Sequence, residues 1–171
     1  RLDRYGITGE TLASPRLSAR FSISERFFLN FATGIYRQQP SLYTLSINKP
    51  SAITEPLKSQ TAFHVVGGVE WLPLQDVRIR AEFFNKKYSD LVGQAFFPPG
   101  LNILDNRVKG YANGVEISAI KALSGKFAGQ ISYSFINSKR TYSGSNFYAP
   151  SDFNRPHQFT AIGITRLFGI T

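Results

Sequence analysis

The chain has 171 residues, a formal net charge of +9, no cysteine and an apolar fraction of 42%. This length suffices for one domain with a sizeable core, and the lack of cysteine excludes disulfide scaffolds, zinc knuckles and thiol nucleophiles. No run of about 18 apolar residues is present, which excludes a transmembrane helix.

The charge comes from 20 Lys and Arg against 11 Asp and Glu. Such a balance fits a solvated basic surface, or contact with nucleic acid, lipopolysaccharide or an anionic ligand. The basic residues are dispersed through alternating segments instead of being clustered, which argues against a nucleic-acid partner.

Apolar and polar residues alternate with a period of two along most of the chain, and a 3.6-residue period is absent. Each alternating segment predicts a β-strand. Ile162 and Ile164 lie opposite Phe159 and Ala161 in the last segment, so its facing is ambiguous. In chain order the segments cover residues 16–23, 29–36, 62–71, 77–83, 114–119, 127–135 and 157–168.

Short and long connections alternate between these roughly seven strands. The short ones lie at 24–26, 72–76 and 123–126, and the long ones at 38–56, 89–108 and 140–156. No helical pattern fills a gap, so the sequence predicts an all-β fold, an antiparallel up-and-down meander.

A soluble sandwich also alternates apolar and polar residues. Three features favour a transmembrane outer-membrane β-barrel: strands of roughly ten residues, a polar face with small and charged residues, and short connections at one end only. In such a barrel, Val77, Ile79, Ala81 and Phe83 face hydrocarbon. Trp71 at one end and Tyr36, Phe84 and Tyr88 at the other are the expected aromatic girdles. The residues predicted to face the lumen are Arg16, Arg20, Glu70, Arg78, Arg80, Glu82 and Glu116.

About seven strands cannot close around a polar interior. The chain also begins at Arg1 without an initiator Met and stops at Thr171 without a closing turn. We therefore expect residues 1–171 to be a partial transmembrane β-barrel domain, a fragment of a longer barrel.

Several segments carry a resemblance when taken in order. The stretch SPRLSARFSISERFFLNFATGIYRQQPSLY contains Gly34, Tyr36, Gln38 and Pro40 in a Gly-x-Tyr-x-Gln-x-Pro pattern. It is followed by HVVGGVEWLP, RAEFFNKKYSDLV, NRVKGYANGVEISAIK, ISYSFINSKRTY and SDFNRPHQF. This ordered set resembles the barrel of TonB-dependent outer-membrane receptors over nearly the whole chain. Each motif alone is only a barrel-strand pattern.

The resemblance implies a segment of a receptor that imports a scarce, bulky nutrient of the siderophore, cobalamin or oligosaccharide class across the bacterial outer membrane. The implied partners are outer-membrane lipid and lipopolysaccharide, a plug domain of the same full-length chain, the TonB energy-transducing complex and a small-molecule or glycan substrate. Ligand capture belongs to the outer loops in this family. The residues that this implies here are Arg37, Gln38, Gln39, Phe96, Phe97, Tyr142, Phe147, Tyr148 and Arg155.

No enzyme is expected, and neither is a cofactor or metal site. His64 and His157 are the only histidines, they are far apart, and two histidines without local spacing do not make a metal site. Two other functions stay open: a passive structural or adhesive outer-membrane barrel, and a soluble carbohydrate-binding β-sandwich.

Overall fold

The computed structural model describes residues 1–48, 55–95, 103–152 and 154–165. The described chain is nearly all-β, with one short helix, α1 (Leu42–Ile47). The strands are β1 (Leu2–Arg4), β2 (Thr11–Ala13), β3 (Arg16–Ser24), β4 (Phe27–Gln38), β5 (Gln60–Leu74), β6 (Val77–Gln94), β7 (Leu104–Ser124), β8 (Phe127–Thr141), β9 (Tyr148–Pro150) and β10 (His157–Thr165).

The large sheet is an antiparallel meander in the order β10-β8-β7-β6-β5-β4-β3, and β9 adds to β8 beyond this path. The predicted all-β meander is therefore confirmed. The three short connections are two-residue turns at 25–26, 75–76 and 125–126. They all lie at one end of the sheet, here called the turn end, and the long connections lie at the opposite end, the loop end. The pair β1–β2 forms a separate two-stranded sheet.

Two strands extend further than the sequence predicts. Residues 89–108 were expected to form one long connection, but β6 continues to Gln94 and β7 begins at Leu104. The pairing shifts between Tyr88 and Leu91, where Asp90 adopts a φ of 56°. The Asn106 side chain donates to the Asp90 carbonyl over 2.6 Å, so this bulge keeps its backbone partner and the strands continue.

Side-chain amides and carboxylates fasten the connections at the loop end. Asn106 accepts from the Lys58 amide at 2.7 Å, and Asn48 accepts from the Leu104 amide at 3.1 Å. Glu10 accepts from the Ser59 amide at 3.1 Å and from the Ser59 hydroxyl at 2.6 Å. These bonds tie the β1–β2 hairpin and the chain before β5 to the same end of the sheet.

One face of the large sheet, here called the apolar face, carries the residues predicted to touch hydrocarbon. Phe83 is 53% exposed, Val77 and Ile79 are partly exposed, and no second layer of the described chain covers them. Buried apolar residues in the described ranges are only Leu57, Val108 and Ala112. A soluble sandwich would bury this face against a second sheet, so the sandwich alternative is wrong.

The edge of the apolar face slopes across the sheet. The apolar run ends at Phe63 on β5, at Phe83 on β6 and at Phe159 on β10. Phe63 of β5 pairs with Lys87 of β6, which lies two rows nearer the loop end than Phe83. The row that contains Phe83 continues through β7 and β8 to His157 of β10, which lies one row nearer the loop end than Phe159. The apolar edge therefore shifts by three rows, each of two residues, over the four strand-to-strand steps from β5 to β10. This shift is roughly one to two residues per strand, as expected for strands tilted by about 35–45°.

Within the described ranges, no helix is long and apolar enough to cross a lipid bilayer.

Candidate functional site on the polar face

The opposite face of the sheet, here called the polar face, is defined by the register of the strands. Arg20 pairs with Asn30, and the same row continues through Gly68 and Glu82 to Glu116. Because directly paired residues of antiparallel strands project to the same side, these side chains share one face. The seven residues predicted to face a lumen all lie on it, namely Arg16, Arg20, Glu70, Arg78, Arg80, Glu82 and Glu116.

The half of the polar face nearer the turn end carries a charged cluster. Arg20 Nη2 donates to Glu70 Oε1 at 2.8 Å, and its guanidinium lies 4.1 Å from the centre of the Phe28 ring. Arg80 Nη2 donates to Glu82 Oε1 at 2.6 Å. Glu70 is only 7% exposed, so the Arg20 guanidinium offsets the cost of desolvating its carboxylate.

Gly68 provides space for this cluster. A Cβ at position 68 would lie 2.8 Å from Glu82 Cγ and 2.8 Å from the Ala81 carbonyl. The Glu82 side chain therefore crosses over β5 only because residue 68 has no side chain.

Glu82 and Glu116 are directly paired across β6 and β7. They line a cavity of about 320 Å³ together with hydroxyl and amide side chains of β7, β8 and β10. This wall offers many hydrogen-bond donors and acceptors.

The half of the polar face nearer the loop end carries an aromatic cluster of Arg16, Tyr36, His64, Tyr88 and Lys86. The rings of Tyr36 and His64 stack at 4.3 Å, and Tyr88 meets His64 edge-on at 6.3 Å. The Arg16 guanidinium lies 4.1 Å above the Tyr36 ring. Lys86 is directly paired with His64 and so stands beside it on the same face.

Gly34 lets Arg16 lie flat in this cluster. A Cβ at position 34 would lie 2.9 Å from Arg16 Cγ and 3.0 Å from the Pro15 carbonyl. The stem of Arg16 therefore runs over Gly34 on its way to the Tyr36 ring, where a cation–π contact holds the guanidinium.

The aromatic cluster lines a cavity of about 420 Å³. The shielded Nε2 of His64 in this cluster has no hydrogen-bond partner among the described residues. Buried polar atoms usually have a partner. The arrangement therefore suits a ligand or a protein element with acceptor groups and an aromatic or anionic surface.

The aromatic cluster corrects one expectation. Tyr36, Phe84 and Tyr88 were expected in a girdle on the lipid side, but Tyr36 pairs with Ala62, which pairs with Tyr88 on the polar face. Phe84 lies on the same face, four residues from Tyr88 along β6. The period of two fixes this placement, because each of these residues alternates with the apolar-face side chains of its own strand.

The predicted ligand residues all lie at the loop end where they are described, but they do not form one pocket. Arg37 and Gln38 line the cavity of the aromatic cluster, and Gln39 follows β4. Tyr142 follows β8 and Phe147 precedes β9. The Tyr148 ring lies 5.4 Å from Tyr111 on the apolar face, and Arg155 is exposed before β10. Phe96 and Phe97 lie outside the described residues.

Sequence reasoning missed the aromatic cluster as a site. Tyr36 and Tyr88 were assigned by their height along the strand and not by the alternation of side chains, so their place beside His64 on the polar face was not predicted. Carrying the alternation from Glu70 to His64 and from Glu82 to Tyr88 would have found the group. No cluster of three or more His, Cys, Asp or Glu suited to a metal ion occurs in the part of the chain that the structure describes.

Comparison with models of protein families gave no match, and neither did comparison with curated proteins. Solved structures do match. The FrpB iron transporter from Neisseria meningitidis (F3-3 variant) aligns with a TM-score of 0.71 at 12% identity, covering 92% of this chain and 25% of that one. The closed form of the ferric-catecholate import receptor Fiu from E. coli K12 aligns with a TM-score of 0.73 at 16% identity, covering 93% and 23%.

Both proteins are TonB-dependent receptors with outer-membrane β-barrels. At these identities the likeness concerns the fold, and the chain spans about a quarter of the length of either protein. The described meander therefore has the fold of a segment of a TonB-dependent receptor barrel.

Proposed function

We propose that residues 1–171 are a partial barrel domain of an outer-membrane receptor that imports a scarce, bulky nutrient. Two observations together carry this proposal: the apolar face of the sheet is uncovered, and the sheet shares its fold with two import proteins. In a closed barrel the apolar face meets the bilayer and the polar face lines the lumen. The lumen side then carries Arg16, Arg20, Glu70, Arg78, Arg80, Glu82 and Glu116.

The proposed mechanism assigns no chemistry to these residues. A plug domain of the same full-length chain would occupy the lumen against the polar face, and the TonB complex would move that plug. The ion pairs of Arg20 with Glu70 and of Arg80 with Glu82 give these charged groups hydrogen-bond partners within the polar barrel wall. The shielded Nε2 of His64 would find a partner on the plug or the substrate.

Among siderophores, cobalamins and oligosaccharides, a ferric siderophore has the best support. One structural neighbour is named as an iron transporter and the other as a ferric-catecholate import receptor. The aromatic cluster offers stacked rings beside Arg16 and Lys86, which suits an anionic aromatic chelate. The residues proposed to capture the substrate are Arg37, Gln38, Gln39, Phe96, Phe97, Tyr142, Phe147, Tyr148 and Arg155.

Uptake by cells that express the full-length receptor tests this function. Accumulation of a radiolabelled ferric catecholate is measured before and after an uncoupler collapses the proton-motive force, with cobalamin and a maltooligosaccharide in parallel. We expect saturable uptake of the ferric chelate that stops with the uncoupler. Uptake that continues unchanged would indicate a passive barrel, and uptake of only another substrate would overturn the siderophore assignment.

Variants of the aromatic cluster locate the binding surface. Tyr36→Ala and Arg16→Gln remove the stacked ring and the cation above it, and each is expected to weaken ferric-chelate binding by about threefold to thirtyfold. Arg78→Gln, on the same face but nearer the turn end, serves as the control. Fluorescence titration of the purified receptor measures the affinities, and equal affinities in all three variants would exclude this cluster from the site.

A further inference from the structure

A cavity with apolar walls interrupts the loop-end half of the polar face. It has a volume of about 460 Å³, and Gly110 and Ala112 of β7 form its floor. Phe84, Leu91 and Ile136 provide its apolar walls, and each of the three is partly exposed. Exposed apolar patches rimmed by polar residues mark sites that bind a ligand or a partner. This cavity is called the β7 trough below.

The trough exists because β7 carries only small side chains on this face in successive rows. Ala112 lies between Lys86 of β6 and Ser138 of β8, so a single methyl group covers the backbone there. Gly110, one row nearer the loop end, leaves room for Leu91, because a Cβ at position 110 would lie 3.6 Å from Leu91 Cδ1. The floor of the trough is therefore lower than its two sides.

The Phe84 ring closes the trough on the side of the turn end. A Cβ at position 114 would lie 2.8 Å from Phe84 Cζ, so the ring lies across Gly114. Ile136 is directly paired with Gly114 and stands beside the ring. From Gly110 to Gly114 the strand rises by about 14 Å, which is long enough for an extended hydrocarbon chain of about eight carbons.

The polar side chains on the β8 rim of the trough already have partners within the chain. The Ser151 hydroxyl donates to the Ser138 hydroxyl over 2.8 Å. Arg140 Nη2 donates to Asp152 Oδ2 over 2.8 Å. A ligand in the trough therefore gains little from hydrogen bonds to this rim and more from the burial of its own apolar surface.

The trough is continuous with the cavity of the aromatic cluster. Tyr88 and Leu91 line both cavities. Lys86 stands where the two meet, since it is directly paired with His64 and its ammonium lies 5.1 Å from the centre of the Phe84 ring. One molecule that fills both cavities would place an anionic aromatic group beside Lys86 and a hydrocarbon group in the trough.

We propose that the β7 trough binds the hydrocarbon chain of an amphiphilic ferric chelate, whose anionic aromatic head lies in the aromatic cluster. The inference rests on the proposed ferric-siderophore function and narrows its substrate to chelates that carry an acyl chain. Each methylene that leaves water for the trough strengthens binding, because the burial of apolar surface is favourable. The apolar walls thus select for the chain, and the cations and rings of the aromatic cluster select for the head.

A chain-length series tests the proposal on the purified full-length receptor in nanodiscs. The probes are three ferric chelates that share one anionic catecholate head and carry an acetyl, a butanoyl or an octanoyl amide. Fluorescence titration measures their dissociation constants, and empty nanodiscs correct for partition of the chelates into lipid. We expect the octanoyl chelate to bind about tenfold to a hundredfold more tightly than the acetyl chelate.

Variants of the trough locate this gain. Ala112→Leu fills the floor and should reduce the affinity for the octanoyl chelate to that for the acetyl chelate, whose own affinity stays within about twofold. Ser118→Leu adds similar bulk to the same strand and face nearer the turn end, and it should keep the full dependence on chain length. Ile136→Thr, a milder change in the wall, should weaken octanoyl binding by about threefold. The heat-dependent gel mobility of each variant verifies that the barrel has closed.

Equal dissociation constants for the acetyl and octanoyl chelates would overturn the trough proposal and leave the siderophore function standing. An apolar group of another element, such as the plug domain, would then cover the trough. A chain-length gain that persists in Ala112→Leu, or one that Ser118→Leu removes equally, would overturn it as well. Binding of none of the three chelates would overturn the siderophore function itself, and the trough proposal with it.

Discussion

The two faces of the sheet use the same strands but change along the strand axis in different ways. The apolar face ends at a sloping line, so its chemistry depends on height in the bilayer. The polar face changes from ion pairs around Glu70 to stacked rings around His64, and each side chain there is placed by its direct neighbours. The residue types of the apolar face therefore follow from the surroundings at each height, and those of the polar face follow from contacts between neighbouring side chains.

The largest expected effect comes from placing a charge in the middle of the apolar face. Ile79→Arg in the full-length barrel should lower the free energy of unfolding by about 2–4 kcal/mol, because a guanidinium near the bilayer midplane loses its hydration. Phe83→Arg and Ile117→Arg should act in the same direction. Denaturant titration of the barrel in lipid vesicles measures the loss.

The neighbouring polar-face residue provides the control. Arg78→Gln changes a side chain that is exposed and has no ion pair among the described residues, so we expect a change within about 0.5 kcal/mol. If Ile79→Arg leaves the free energy of unfolding unchanged and Arg78→Gln lowers it, the assignment of the two faces is reversed.

The slope of the apolar edge makes a second, paired prediction. Phe27 on β4 and Ile131 on β8 belong to one register row, which runs through Trp71, Ile79 and Ala119. Ile131 lies in the middle of the apolar run of β8, but Phe27 begins that of β4. Ile131→Arg should therefore cost about 2–4 kcal/mol and Phe27→Arg about 0–1 kcal/mol. Equal costs in the same titration would show that the rows lie parallel to the membrane.

The strand order and the facing of most strands followed from the sequence because the period of two is strict there. Three turns were also predicted, since each interrupts the alternation for only a few residues. The last strand was ambiguous because apolar side chains occupy both of its faces. Pairing resolves it: Phe159 joins Tyr133 on the apolar face, and Ile162 joins Gln130 on the polar face.

Features that depend on contacts between distant residues could not be predicted. The continuation of β6 past Asp90 requires the side chain of Asn106 from the next strand. The aromatic cluster requires Arg16 to cross over Gly34, a contact that no local pattern encodes. The short helix α1 depends on the Ser41 side chain, which accepts from the Thr44 amide at 3.1 Å, within a segment that has no helical period.

A smaller effect is expected from the charged cluster of the polar face. Arg20→Gln leaves the Glu70 carboxylate, which is 7% exposed, without its cation. Because the Arg20 side chain itself is half exposed, the cost should be about 1–2 kcal/mol, below that of a fully buried pair. Glu70→Gln in the Arg20→Gln background should recover part of the loss. A double variant as unstable as the sum of the single variants would show that the pair contributes nothing.

The smallest expected effect lies at the turn end, on the apolar side of the comparison. Asp76 accepts hydrogen bonds from the Lys121 ammonium and the Ser124 hydroxyl, and these hold the pKa of its carboxyl below the usual value, the Lys121 bond most of all. A lowered folded-state pKa contributes stability above the unfolded-state pKa, which is lost as the pH falls through the folded-state value.

Asp76→Asn should therefore be less stable than the unaltered barrel at pH 7, and the difference should shrink progressively as the pH falls below about 4, the unfolded-state pKa of an aspartate. Denaturant midpoints of the two proteins between pH 7 and pH 3 measure this convergence. Glu25→Gln, in another turn at the same end and without an ion pair among the described residues, is the matched control and should show no such convergence. A constant gap between Asp76→Asn and the unaltered barrel would mean that the hydrogen-bond geometry of Asp76, and not its charge, supports the turn.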